Sequence, residues 1–207
     1  MHPKAPDRRN PADHVRRDQI IAVANDHFRQ YGYEKTTVGD LARAIGFSTA
    51  YIYKFFYSKQ AIGDAICGIC LDKIAADLQS IAAQTTQASE RMRQIFLKLS
   101  HHARTLSLNE CRLQEMVLAA CREHWPAFEK HKMALRAVIR RVVEDGRRSG
   151  EFARTIPVEE TCQGVLLVLE PFWNPILWAT RLDHLEAHAA TLAALVLRSM
   201  APQNVYE

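Results

Sequence analysis

Three groups of side chains in this sequence could do chemistry by type and spacing. The first is a polar and aromatic run, Ser48-Thr49-Ala50-Tyr51, followed by Tyr53, Lys54 and Lys59. Hydroxyls of this kind bond phosphates or base edges, and an alanine methyl can touch a thymine methyl. Tyrosine hydroxyls and ammonium groups suit flanking phosphates, where they set register. The second group is a scatter of metal or redox donors: Cys67-x-x-Cys70, His184 and His188 one turn apart, His101-His102, Cys111 and Cys121. A zinc site gathers four ligands, and no second pair follows Cys67 and Cys70 at finger-like spacing. These thiols are expected to pack into a core and the two histidines to sit on a polar face. The third group would be catalytic, and it is missing: the sequence has no glycine-rich phosphate loop, no nucleophile elbow and no metalloprotease motif. No enzyme, cofactor or metal site is therefore expected.

The elements that must hold the first group are helices. Period-two alternation is absent, and apolar residues recur three and four apart almost everywhere. Ile20, Ala24, Phe28 and Tyr31, with Val23 beside them, predict a first helix over about 13–31 with one buried stripe. Gly32 closes it and Tyr33 supplies the apolar contact that follows. Thr37-Val38-Gly39-Asp40 has capping-box spacing and opens a short helix with Val38, Leu41, Ala42 and Ile45 on its apolar side. Gly46 ends that helix. Ser48 can cap a second short helix carrying Ala50, Ile52, Tyr53 and Phe56. Ser58 can cap a long one, with Ile62, Ile66, Ile69 and Ile74 inward and an end near Gln84. Residues 37–56 thus have a helix-turn-helix layout: the first short helix supports the second, whose N-terminal end meets the major groove. Further helices are expected at about 88–107, 109–122, 125–149, 157–180 and 183–200. Gly146 and Gly150 would close the third of these, and Pro157 would stand in the first turn of the fourth.

The stretch from Tyr31 to Ser48, continued by Ile52-Tyr53-Lys54-Phe55-Phe56-Tyr57-Ser58-Lys59, resembles the TetR family of bacterial transcriptional regulators. Phe28, Gly32, Thr36, Thr37, Val38, Ala42, Gly46, Ser48, Tyr53, Phe56, Ser58 and Lys59 match the family's N-terminal pattern. Ile45, Phe47 and Ala50 depart from it and would alter packing and base preference. The resemblance covers about residues 14–65. It implies a homodimer, an all-helical C-terminal domain with an effector pocket, and repression relieved by ligand. It also places Thr37, Tyr53 and Lys59 at phosphate-contacting positions, and Ser48, Thr49, Ala50, Tyr51 and Lys54 where the family reads bases or adjacent phosphates.

The resulting expectation is an all-α chain of about nine helices in three parts. A disordered basic arm (1–12) precedes a three-helix DNA-binding domain (13–60), and a long helix joins that to a helical effector-binding and dimerisation domain (61–207). Charge agrees: residues 1–60 carry ten Lys/Arg against six Asp/Glu, and the remaining residues carry seventeen of each. The excess positive charge therefore lies where a polyanion would be met. A nonspecific architectural DNA binder would need positive charge spread more widely. Lys4, Arg8, Arg9, Arg16 and Arg17 could track the DNA backbone or enter a minor groove. No apolar run is long enough for a bilayer and none follows the basic N-terminus, so no membrane partner and a cytoplasmic location are expected. Five cysteines, an odd number, read as reduced thiols.

In the C-terminal two-thirds, Leu182, Leu185, Ala189, Leu192, Leu195 and Val196 form one apolar stripe, and Val158, Cys162, Val165, Leu166 and Leu169 another. A four-helix homodimer interface is expected from them, matching a palindromic double-stranded operator. A kink or break is expected near Pro171, since a proline removes a hydrogen bond and clashes with the preceding turn. The aromatic residues Phe172, Trp173 and Trp178 would line that break. For a small-molecule effector, the expected lining is Phe96, Leu99, His102, Met116, Ala120, Trp125, Phe128, Val138 and Trp173, a mostly apolar set with few polar groups. The alternative is a metal- or thiol-responsive regulator of the same fold.

Overall fold

A computed structural model describes residues 11–109, 111–180 and 184–202. The arm residues Lys4, Arg8 and Arg9 and the stripe residue Leu182 lie outside them. All regular structure among the described residues is helical: α1 (Pro11–Tyr31), α2 (Val38–Ile45), α3 (Thr49–Ile52), α4 (Lys59–Ala82), α5 (Ala88–Asn109), α6 (Cys111–Arg122), α7 (Pro126–Ser149), α8 (Val158–Trp173), a 3-10 turn (Pro175–Thr180) and α9 (Leu185–Met200). No helix among the described residues is long and apolar enough to cross a membrane.

Ile20, Ala24 and Phe28 of α1 pack on Val38, Leu41 and Ala42 of α2 and on Ile52 and Phe56 around α3. Tyr31 departs from the expected stripe and is exposed, and Tyr33 beyond the helix end fills the space with only 7% of its surface exposed. α4 runs unbroken from this unit into the body, where it lies chiefly along α7, while α5 lies against α8 and α9. A buried ion pair ties three body helices: Arg91 Nη1 of α5 donates to Ala82 O at the end of α4 and to Asp145 Oδ2 of α7, both at 2.8 Å.

Four further expectations need correction. α3 is a single turn, so Tyr53 and Phe56 lie beyond it. Gly146 does not close α7, which runs on to Gly150 in a left-handed conformation. Gly146 instead lets the Phe152 ring lie where a Cβ would stand. The helix expected at 157–180 ends at Trp173, so the break expected near Pro171 falls just past it, before Pro175. Asn174 explains the stop: its side chain donates to Glu170 Oε1 and accepts the Ile176 N–H, capping the 3-10 turn. The stripe expected to meet a second chain lies largely in this chain's own core. Leu185, Ala189 and Val196 are buried and Leu192 half-buried, because α9 turns that face onto α5.

Candidate nucleic-acid interface

Local hydrogen bonds build the N-terminal helix-turn-helix of α2 and α3, which with α1 forms the reading unit. Thr37 Oγ1 accepts the Asp40 N–H at 3.1 Å, and Asp40 Oδ2 accepts the Thr37 N–H at 2.9 Å and its hydroxyl at 2.6 Å. These bonds from the Thr37 side chain and backbone hold the Asp40 carboxyl below its ordinary range. Asp40 therefore stays ionised at the positive end of α2. Gly46 ends α2 at φ 78°, in the left-handed region that a side chain would disfavour. The chain then reverses to Ser48, whose Oγ accepts the Tyr51 N–H at 3.1 Å and caps α3. Ser58 does the same for α4 through Ala61 N–H at 3.0 Å.

This leaves a reading edge of distinct textures. Ser48, Thr49 and Ala50 are exposed, as are Tyr53 at 50% and Lys54. Tyr51 is half-buried, its ring edge-on between Phe47 (4.8 Å) and Phe55 (5.4 Å), with Lys54 Nζ above it. Tyr57, which spacing alone passed over, is 84% exposed. Its signal was present in the run Phe55-Phe56-Tyr57, where a hydroxyl follows two rings that turn inward. Arg16 and Arg17 sit against the unit rather than apart from it. Arg17 Nη1 donates to Phe55 O at 3.1 Å and its guanidinium lies 4.1 Å from the Phe56 ring centre, while Arg16 lies over Phe47.

Lys59 has structural work of its own. Its ammonium donates to Tyr33 O at 3.0 Å and Glu34 O at 3.3 Å, and it lies 4.5 Å from the Tyr33 ring centre. Burial lowers its pKa. Two of its three donors are thereby used inside the chain, leaving one for a further acceptor.

A joint connects this unit to the body. The Tyr33 ring meets Phe28 at 5.2 Å and Trp125 at 5.4 Å, and Trp125 packs where Gly63 of α4 leaves room. Burial and the nearby Glu123 push the Tyr33 phenol up to about 12. Trp125 Nε1 donates to Glu123 at 2.8 Å, and Asp64 Oδ1 of α4 accepts the Ala127 N–H that opens α7. Trp125, expected in a pocket wall, is instead a fully buried wedge between body and reading unit.

The other expected pocket residues do not converge on one cavity. Phe96, Leu99, Ala120, Phe128 and Val138 are buried in the core, with Phe96 against Phe172 and Phe128 against Trp173. His102 is half-buried, with Nε2 3.2 Å from Asp77 Oδ2. Met116 lines a cavity of about 490 Å³ between α1, α4, α5 and α6. Trp173 lines a different one of about 430 Å³ on α7 and α8. Burial raises the Cys67 pKa far above its ordinary value, so it stays a thiol. No group of three or more His, Cys, Asp or Glu among the described residues is placed to hold a metal ion.

A short helix with an exposed start, held across a tight turn by a capped supporting helix, defines a helix-turn-helix DNA-binding protein. Family models name the kind. Residues 20–66 match the model for bacterial regulatory proteins of the tetR family, and residues 88–196 match the tetracyclin repressor-like C-terminal domain. The chain belongs to the TetR family of transcriptional regulators, with a helix-turn-helix DNA-binding unit and a ligand-binding C-terminal domain. No curated protein sequence matches it.

Among solved structures, the chain is similar to a TetR-family regulator from Pectobacterium atrosepticum at 18% identity and a TM-score of 0.73. That match covers 94% of this chain and 99% of the other. It is similar to a TetR/AcrR-family regulator from Thermobifida fusca at 24% identity and a TM-score of 0.63, covering 93% and 99%. It is also similar to the regulator FadR from Bacillus subtilis, solved in complex with stearoyl-CoA, at 16% identity and a TM-score of 0.67, covering 88% and 98%.

Proposed function

We propose that the chain is a homodimeric repressor that grips a palindromic operator and releases it when a small molecule binds the helical body. The carrying observation is the exposed Ser48-Thr49-Ala50 edge, held rigid by the Thr37 and Ser48 caps. In this reading Ser48, Thr49, Ala50, Tyr51 and Lys54 face bases or adjacent phosphates, and Thr37, Tyr53 and Lys59 anchor the flanking backbone. Residues 13–60 are the DNA-binding domain and 61–207 the effector and dimerisation domain.

One helix-turn-helix meets one half-site with few contacts, and two-fold pairing doubles them. The outer faces of α8 and α9 suit that pairing. Leu167 and Leu195 are 60% and 54% exposed, although the inner faces of the same helices are already buried. Beside them a groove of about 370 Å³, with Gly164 and Val168 in its wall, can take a partner's side chains. A small-molecule effector is supported by the similar FadR, solved with stearoyl-CoA.

Selection of bound sequences from random DNA tests the reading. A palindrome with half-sites one helical turn or a multiple apart is expected. Failure to enrich any sequence overturns specific binding. Sedimentation of the Leu167→Arg, Leu195→Arg double variant should give monomers and a weaker operator complex. A dimer that survives both changes overturns the α8–α9 face.

A further inference from the structure

The cavity between α1, α4, α5 and α6 is about 490 Å³, within the range of small-molecule sites. Its floor is closed and apolar: Ile66, Leu106, Leu113, Met116 and Val117 are all buried. Ile69 stands in its wall with 49% of its surface exposed, although its spacing in α4 points inward. An exposed isoleucine on a concave apolar wall gains free energy when an apolar ligand covers it. Among the described residues the lining carries no aromatic ring, so its shape suits an aliphatic body rather than a stacked one.

The rim sets the polar end of the ligand. Asp18, Arg29 and Lys73 stand on it. Lys73 stands apart from the other lysines of the body. Lys98, Lys130 and Lys132 are each ion-paired, to Asp77, Asp72 and Glu129, whereas Lys73 has no hydrogen bond or ion pair among the described residues. A single unpaired ammonium at the mouth of an apolar cavity suits one carboxylate at the end of an aliphatic chain.

We propose that this cavity is the effector site and that it takes a medium-chain aliphatic monocarboxylate, its chain on the Ile66–Met116 floor and its carboxylate at Lys73. This rests on the reading of the chain as an effector-controlled repressor and adds to it the place and chemistry of the effector. The position gives the ligand leverage. α1 belongs to the reading unit and α6 to the body, and the two already touch where Glu115 of α6 reaches Gly32 at the end of α1. A ligand seated between them favours whichever spacing of α1 and α6 accommodates it best, and so biases the tilt of the reading unit.

Calorimetric titration of the full chain with decanoate and 1-decanol tests this. Decanoate should bind at least about tenfold tighter than decanol. Lys73→Gln should erase that preference while leaving decanol binding unchanged, and Ala22→Trp, on the exposed α1 wall, should abolish both. Decanoate should also release a selected operator from the wild-type chain. Equal affinity for the two probes, decanoate binding that survives Ala22→Trp, or binding without operator release overturns the proposal. If the wild-type chain selects no operator even without decanoate, the repressor reading fails. If an operator is selected but decanoate shows no preference, only the cavity assignment fails.

Discussion

The reading unit and the body start their helices in different ways. In the first third, α2, α3 and α4 each begin on a hydroxyl three residues before the N–H it accepts, at Thr37, Ser48 and Ser58. In the body, α7, α8 and α9 begin at Trp125, Pro157 and His184, and none of these side chains caps its helix. The body's caps come from elsewhere in the chain. Asp64 accepts the Ala127 N–H of α7, and Glu151 accepts the Ala88 and Ser89 N–H groups of α5 at 2.9 and 3.0 Å. A four-residue helix such as α3 cannot persist by itself, so the unit that must present fixed side chains to DNA specifies its turns locally. The body can leave helix starts to partners that arrive only on folding.

Breaking the joint between the two regions should have the largest effect. Trp125→Ala removes a fully buried indole from between Tyr33 and Gly63. It should cost about 3–5 kcal/mol in urea unfolding. An unchanged midpoint would mean that the two regions are not packed as one structure.

Acid should destabilise the body before the reading unit. Burial pushes the His131 imidazole down to about 4, outweighing a hydrogen bond with the Leu71 backbone that raises it, and its Nδ1 has no partner among the described residues. Between the ordinary histidine value and about 4, the unfolded chain binds the proton and the folded chain does not. Stability therefore falls as pH drops through that window, by on the order of 3 kcal/mol. Urea titrations from pH 7 to 4 should show the loss, and His131→Phe should flatten it. An identical slope in the variant would remove His131 as the cause.

The two kinds of cap should then separate. For Glu151, burial alone would raise the pKa, but hydrogen bonds from Ser89, Ala88 and Ser149 outweigh it and hold the carboxyl at about 2. Its stabilisation is complete above the ordinary carboxylate range and is lost as pH falls through that range towards about 2. Glu151→Ala should cost about 1–2 kcal/mol of global stability at pH 7. Ser48→Ala should cost about 1 kcal/mol. That loss should be confined to α3, weakening operator binding about fivefold with little change in the global midpoint. Equal global losses from both variants would erase the distinction. The smallest change, Tyr53→Phe, should weaken binding to all sequences by a few-fold in gel shifts and leave stability unchanged.

The local caps are also the part of the molecule that was legible from residue order. Thr37, Gly46, Ser48 and Ser58 act within three or four residues of where they stand, so spacing alone located the turns. The misreadings of Tyr31 and of the α9 stripe involve distant partners. Tyr31 and Tyr33 are equally apolar neighbours of a helix end, and only the presence of Trp125 and Phe28 decides which one is buried. Gly146 looks like a terminator until Phe152 is seen lying on it. Pro171 points to a break nearby, and Asn174, which caps the next turn, fixes where it falls. Leu185, Ala189 and Val196 make a stripe that suits a partner helix, and periodicity cannot say whether that helix belongs to the same chain.

By itself the sequence determined that this protein is helical, where its short helices begin and end, and which polar edge its reading helix exposes. Those properties rest on interactions between residues one turn apart. Only the tertiary structure decided which apolar stripe is spent inside the chain and that Trp125 is a joint rather than a pocket wall. It also decided that a cavity opens beside α1 with Lys73 on its rim. Such features depend on pairs of surfaces far apart in sequence, and no periodicity encodes which pair will meet.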